Sequence, residues 1–161
     1  MNYVFRKITK DEFGKLYDLF PDNEQMWLKY RDMRLKEFDN KEIDVYVIEL
    51  NNIFIGELSI NYISHDLASE TISGQRVYLQ AFRLDQKYQG LVLGQKLMQF
   101  ALSDLEQQGY TEFTIGVEED NERAKHIYFK LGFTEAIDKG CGDEFDPSDY
   151  ILYLRSIQKK Q

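Results

Sequence analysis

Six residues, Gln89-Gly90-Leu91-Val92-Leu93-Gly94, form a turn set between the apolar run Val77–Leu84 and a stretch of helical periodicity, Gln95–Gln108. A turn that leads from a strand into a helix leaves backbone N–H groups without acceptors, with the positive end of the helix dipole behind them. Such a place suits a phosphate or pyrophosphate. Gly90 and Gly94 let the backbone come close to such a ligand, and either is free to take positive φ. The same two glycines also serve an ordinary turn, so by themselves they leave both readings open.

The rest of the chain has to supply a fold that can hold this turn. At 161 residues, 43% of them hydrophobic, the chain has the length and composition for a single domain, 1–161, with a full core. One cysteine, Cys141, excludes an internal disulfide framework and a cysteine-based zinc cluster, and no metal site is expected. No run is long and apolar enough to span a bilayer, and Met-Asn-Tyr-Val-Phe-Arg-Lys lacks the apolar centre of a signal peptide, so the expectation is a cytoplasmic protein with no membrane partner. A formal net charge of −8 argues against nucleic acid as ligand and would attract a cation, although a solubilising surface gives the same number.

In chain order, Tyr3–Ile8 alternates as a strand does, and Thr9-Lys-Asp-Glu12 matches a capping box, with the Thr9 hydroxyl on the N–H of the third helical residue and Glu12 reaching back. That helix runs to Leu19 and is stopped by Pro21. A second, from Asn23 to Phe38, carries Met26, Trp27, Tyr30, Met33, Arg34 and Leu35 near helical spacing, and Trp27 and Tyr30 read as core. Asp44–Leu50, the turn Asn51-Asn52 and Ile53–Ile63 predict a hairpin, with Gly56 marking a bulge or a close approach. His65–Gly74 is polar and irregular, a loop that can cover a site.

Gln75–Leu84 reads as the central strand, with Val77, Leu79 and Ala81 on one face and Tyr78, Gln80, Phe82 and Leu84 on the other. The helix after Gly94 docks through Leu97, Met98, Ala101, Leu102 and Leu105 and stops at Gly109. Phe113–Val117 is the next strand. Ala124, Ile127, Tyr128 and Leu131 mark the buried stripe of the helix that follows, and Gly132 caps it. Lys139–Asp149 is an acidic loop, Tyr150–Arg155 the last strand, and Gln158–Gln161 a loose tail.

Val117-Glu-Glu-Asp-Asn121, followed by Tyr128 and Leu131-Gly132-Phe133, repeats the order of strand, helix and glycine stop. Together with Gln89–Gly94, this stretch resembles the GNAT superfamily of N-acetyltransferases, strongly over Val77 to Phe133 and elsewhere by element order. In that family a turn of the form Gln/Arg-x-x-Gly-x-Gly/Ala holds the pyrophosphate of acetyl-CoA. Here Val92 replaces its central glycine, which backbone contact tolerates if φ stays negative.

The resemblance implies an α/β (α+β) fold: a mixed, largely antiparallel twisted sheet of six to seven strands, helices on both faces, splayed between two central parallel strands. It implies acetyl-CoA as co-substrate. Its pyrophosphate would rest on Gln89, Gly90, Leu91, Val92, Leu93, Gly94 and Gln95, and its pantetheine arm would run along the backbone of Phe82, Arg83 and Leu84. Asn121 is an N-cap and, by resemblance, a contact to the cofactor arm or an ordering residue for the Tyr128 helix. Tyr128 is the implied acid that protonates the departing thiolate, with simple packing as the alternative. Some family members place a glutamate base five residues before the Asn; that position is Gly116, so the base stays open among Glu118, Glu57, Tyr78, the Asp143–Glu144 pair and a water chain. The expected acceptor is a cationic primary amine on a small molecule or protein; in the family the first helix pair borders the acceptor site, so a pocket lining is the alternative to core for Trp27 and Tyr30. A non-catalytic acyl-CoA sensor is the alternative, and a homodimer is common among such proteins.

Overall fold

The computed structural model describes residues 2–20, 24–90 and 92–157. Its strands are β1 (Val4–Lys7), β2 (Ile43–Leu50), β3 (Ile53–Asn61), β4 (Arg76–Leu84), β5 (Glu112–Val117), β6 (Glu135–Gly140) and β7 (Tyr150–Ser156), and its α-helices are α1 (Glu24–Asp39), α2 (Leu93–Gln107) and α3 (Glu122–Lys130). The strands form one sheet in the order β1-β2-β3-β4-β5-β7-β6. β4 and β5 are parallel, while β1–β2, β5–β7 and β6–β7 are antiparallel. This is the mixed, mostly antiparallel sheet expected. The parallel ladder runs from Arg76↔Glu112 to Leu79↔Ile115, and β5 continues to Gly116 and Val117 paired with Leu152 and Ile151 of β7.

The chain forms two compact units, Met1–Ile60 with Ala81–Ser103, and Asn61–Gln80 with Asp104–Gln161. In the first, Asn51 and Asn52 close the β2–β3 hairpin with φ of 51° and 65°, the left-handed values a two-residue hairpin turn needs. Side chains approach Gly56 closely: a Cβ there would stand 3.0 Å from Ile48 Cδ1 and 3.1 Å from Leu84 Cδ1. The segment after Thr9 is a 3-10 helix, Lys10–Leu19. Thr9 and Glu12 form the expected capping box, with the Glu12 carboxylate accepting the Thr9 N–H at 2.9 Å; the Thr9 hydroxyl also donates to the carboxylates of Asp11 and Glu12, and the Glu12 N–H also reaches the Thr9 carbonyl at 3.1 Å. The expected stop at Pro21 and the start at Asn23 lie outside the described residues. In α1 the inward residues are Trp27, Tyr30 and Arg34, and Met33 is exposed.

In the second unit, α3 is capped by Asn121 and leaves through Gly132 at φ 98°. Gly109, at φ 103°, ends α2. The stripe predicted on α2 is buried throughout. Lys139 and Gly140 belong to β6, so the acidic loop is shorter than its composition suggests. The polar stretch before β4 is not a plain loop either: it holds a 3-10 turn, Ala68–Glu70, whose Glu70 side is buried. The predicted tail, Gln158–Gln161, lies outside the described residues.

Candidate active site

In the first unit, the end of β4 and the turn into α2 form one piece. Asp85 donates its N–H to Ile55 O at 2.8 Å, and its carboxylate accepts the Lys87 N–H, starting a 3-10 turn over Gln86–Tyr88. The Gln89 side-chain amide then donates to Leu84 O at 3.1 Å, so this residue closes the turn onto the strand end. The helix starts at Leu93, two residues before the expected Gln95, and Lys96 donates to Val92 O at 3.0 Å. Helix geometry leaves the N–H groups of the first turn, Leu93 through Gln95, without acceptors inside the helix. Leu91 lies outside the described residues. Val92 is exposed and is not among the positive-φ residues, so its backbone meets the condition set by the missing glycine.

The two glycines of the turn do different work. Gly90 has φ 84° and open space around it, so conformation selects it. At Gly94 a Cβ would stand 2.9 Å from Phe82 Cζ, so what selects glycine there is the ring packed against the helix start. Arg83 turns its guanidinium toward α1, over the Phe20 ring at 5.4 Å and the Tyr30 ring at 5.2 Å, and 3.5 Å from Glu57 Oε2. Its side chain is thus engaged with Glu57 and these rings, and only its backbone is left for the expected cofactor arm. Glu57, buried, also meets Arg34 at 2.8 Å and is the counter-ion of two guanidinium groups. Trp27 and Tyr30 are core, 5% and 6% exposed, with the Phe20 ring 5.5 and 5.1 Å away.

Ala81 was not foreseen as special. Its φ of 52° is left-handed, in the middle of β4, where alanine carries the Cβ penalty that glycine escapes. It breaks the alternation predicted for the strand, which is buried at Val77, Tyr78 and Leu79 and only partly so from Gln80 on. Such irregularities in strands gather beside active sites, where they re-aim the backbone.

In the second unit, the Asn121 side chain accepts the Ala124 N–H at 3.1 Å and caps α3. Two turns later Tyr128 is half-buried, its ring edge-on to Phe133 at 6.3 Å. Burial pushes its phenol up to about 12. Its hydroxyl has no hydrogen-bond partner among the described residues, so packing of the ring leaves the hydroxyl uncommitted.

Of the other base candidates, Glu118 is exposed. Asp143 accepts the N–H groups of Phe145 and Asp146, both at 2.8 Å, and Asp146 and Asp149 accept those of Ser148 and Gly142. These carboxylates shape the loop. Tyr78 is buried, its phenol raised by burial and by Glu70 beside it. Among the described residues no group of three or more His, Cys, Asp or Glu could hold a metal ion, and no helix is long and apolar enough to cross a membrane.

Residues 5–133 match the acetyltransferase (GNAT) family. No curated protein matches the chain by sequence. Among solved structures, the ribosomal-protein-S18-alanine N-acetyltransferase from Escherichia coli is 15% identical with a TM-score of 0.71, over 99% of this chain and 97% of that one. The PaiA N-acetyltransferase from Thermoplasma acidophilum, in complex with coenzyme A, is 16% identical at 0.66, over 98% and 100%. A GNAT family acetyltransferase from Elizabethkingia anophelis, with acetyl-CoA bound, is 16% identical at 0.66, over 97% and 99%. At these identities the likeness is one of fold.

Proposed function

The chain belongs to the GNAT acetyltransferase family, and we propose that it moves the acetyl group of acetyl-CoA directly to a primary amine of a small molecule or a protein. The observation that carries this reading is Tyr128: a phenol seven residues after the helix cap Asn121, half-buried, kept protonated by that burial and without a hydrogen-bond partner among the described residues. The turn at Gln89–Gln95 takes the pyrophosphate on backbone amides, and the backbone of Phe82, Arg83 and Leu84 takes the pantetheine arm. The amine nitrogen attacks the thioester carbonyl, and the tetrahedral intermediate expels coenzyme A as a thiolate.

Tyr128 serves that departure chiefly as a hydrogen-bond donor. With its phenol at about 12 and a free thiol near ~8.5, complete transfer of the proton to sulfur is uphill, while donation to the growing negative charge is favourable. Reduced thiols and a lone Cys141 fit a cytoplasmic setting.

Purified protein, acetyl-CoA and a panel of amines should release free thiol. Tyr128→Phe should lower kcat by about 10–100-fold with the KM for acetyl-CoA unchanged. Undiminished turnover in that variant removes Tyr128 from the mechanism; calorimetric binding of acetyl-CoA with no turnover for any amine establishes the sensor reading instead.

A further inference from the structure

A buried carboxylate that the reaction above does not use stands in the second unit. Glu70 is 1% exposed and lies in the short turn before β4. One oxygen accepts the Ser64 hydroxyl at 2.5 Å and the other accepts the Tyr150 hydroxyl at 2.5 Å. Its backbone is fixed as well: Thr114 of β5 donates its hydroxyl to Glu70 O at 2.8 Å, and Arg76 donates to the neighbouring Ser69 O at 2.8 Å. The Tyr78 ring of β4 stacks on that of Tyr150 at 6.5 Å. These contacts hold one carboxylate behind one phenol.

The place of that phenol is set by two glycines. A Cβ on Gly116 would stand 2.6 Å from Tyr150 Cδ2, and one on Gly140 would run into the far end of the same ring. Gly116 directly follows Ile115, the last β5 residue paired with β4. A side chain at 116 and the Tyr150 ring exclude each other. With glycine at 116 the Tyr150 ring holds the space, and it is half-buried rather than sealed.

We propose that Tyr150 accepts the proton of the attacking amine and that Glu70, acting through it, is the positioning residue that takes up the phenol's own proton. The proposal rests on the acetyl-transfer reading. In the step, one N–H bond of the ammonium breaks and its electron pair stays on nitrogen as the attacking lone pair. The proton goes to Tyr150 Oη as the Oη–H proton passes to Glu70 Oε2. Ammonium and carboxylate become amine and carboxylic acid, and Glu70 returns the proton by the same path after the product leaves.

Burial holds the Glu70 carboxyl above the ordinary carboxylate range; the Asp66 carboxylate adds to this, while the hydroxyls of Ser64, Tyr150 and Tyr78 oppose it. A base must be ionised to act, so the rate rises with pH as Glu70 gives up its proton.

The test is a pH profile of kcat and KM with the amine the wild type turns over best, for wild type, Glu70→Gln, Tyr150→Phe and the double variant. Each single variant should lower kcat about 100-fold near neutral pH, with the KM for acetyl-CoA unchanged. The acid limb should move up to the amine's own ionisation, so that the loss shrinks in alkaline buffer. The double variant should lose no more than either single one, because the two groups work in series. Phenylalanine still fills the slot and glutamine can still accept from Ser64; if one variant melts early, the other carries the test. Wild-type turnover with kcat and pH profile unmoved in the folded variants overturns this proposal alone. No thiol release by the wild type with any amine overturns the acetyl-transfer reading and this proposal with it.

Discussion

A Cβ at residue 94 and the ring of Phe82 compete for one space, and that competition gives the sharpest residue-scale expectation. Gly94→Ala places its methyl 2.9 Å from Phe82 Cζ, so the ring or the helix start must shift by several tenths of an ångström. If the first-turn amides bind pyrophosphate, that shift weakens acetyl-CoA binding by about tenfold, the scale of a misplaced charged hydrogen bond. Phe82→Leu in the same chain removes the far end of the ring and should restore most of the affinity. Calorimetry on wild type, single and double variants measures both; an unaltered Kd in Gly94→Ala means the ring yields freely. This pair was half legible. Gly94 stands out in the sequence, but its neighbour across the turn is set by how β4 and α2 meet. Glu70 was less legible still: one acid in a polar stretch, buried only because Thr114 and Tyr150, 44 and 80 residues on, fold over it.

At the scale of elements, those whose cause is local could be read from the residues, and those whose cause is tertiary could not. The Asn51-Asn52 turn and the Asn121 cap follow from what asparagine does unaided. The Ala81 irregularity does not, since alanine shows no preference for positive φ; the backbone is held there by its surroundings. Ala81→Val should therefore cost more than about 1 kcal/mol, because a β-branched side chain is strongly disfavoured at such a φ, while Ala81→Gly should be tolerated. Chemical denaturation of the two variants checks the order. Equal stability would mean that β4 relaxes at this residue.

The 3-10 element after β1 gives an expectation in pH. Hydrogen bonds from Arg6, at 2.7 and 2.5 Å, hold the Glu12 carboxyl down at about 2, with the Thr9 N–H and hydroxyl assisting. The folded value lies below the ~4.3 of an unfolded chain, so this contribution is complete above about pH 5 and is lost as pH falls toward about 2. Glu12→Gln should lower Tm at pH 7 by about 2–4 °C, the shift of a modest, partly exposed ion pair in a chain of this size. The gap from wild type should close between about pH 5 and pH 2. A gap independent of pH would assign the loss to packing instead.

The charge of the whole molecule acts on the two substrates with opposite sign. The formal net charge is −8, so at long range the protein repels a polyphosphate and attracts a polycation. At close range the balance reverses around the turn, where helix amides and the exposed Lys87 and Lys96 flank the proposed pyrophosphate seat. The loop carboxylates Asp143, Asp146 and Asp149 accept backbone N–H groups of their own loop, so what they offer a cation is chiefly their share of the summed field. Fields of that kind are screened over about 10 Å at ~0.1 M salt, whereas short contacts are not. Raising salt from about 0.05 to 0.3 M should therefore raise the KM of a polyamine acceptor several-fold and leave that of a monoamine nearly unchanged. Over the same range the KM of acetyl-CoA should stay flat or fall, because screening removes the long-range repulsion and spares the amide contacts. Steady-state kinetics with one monoamine and one polyamine reads all three trends. A rise in the KM of acetyl-CoA as steep as that of the polyamine would place exposed cations, rather than backbone amides, at the phosphate seat.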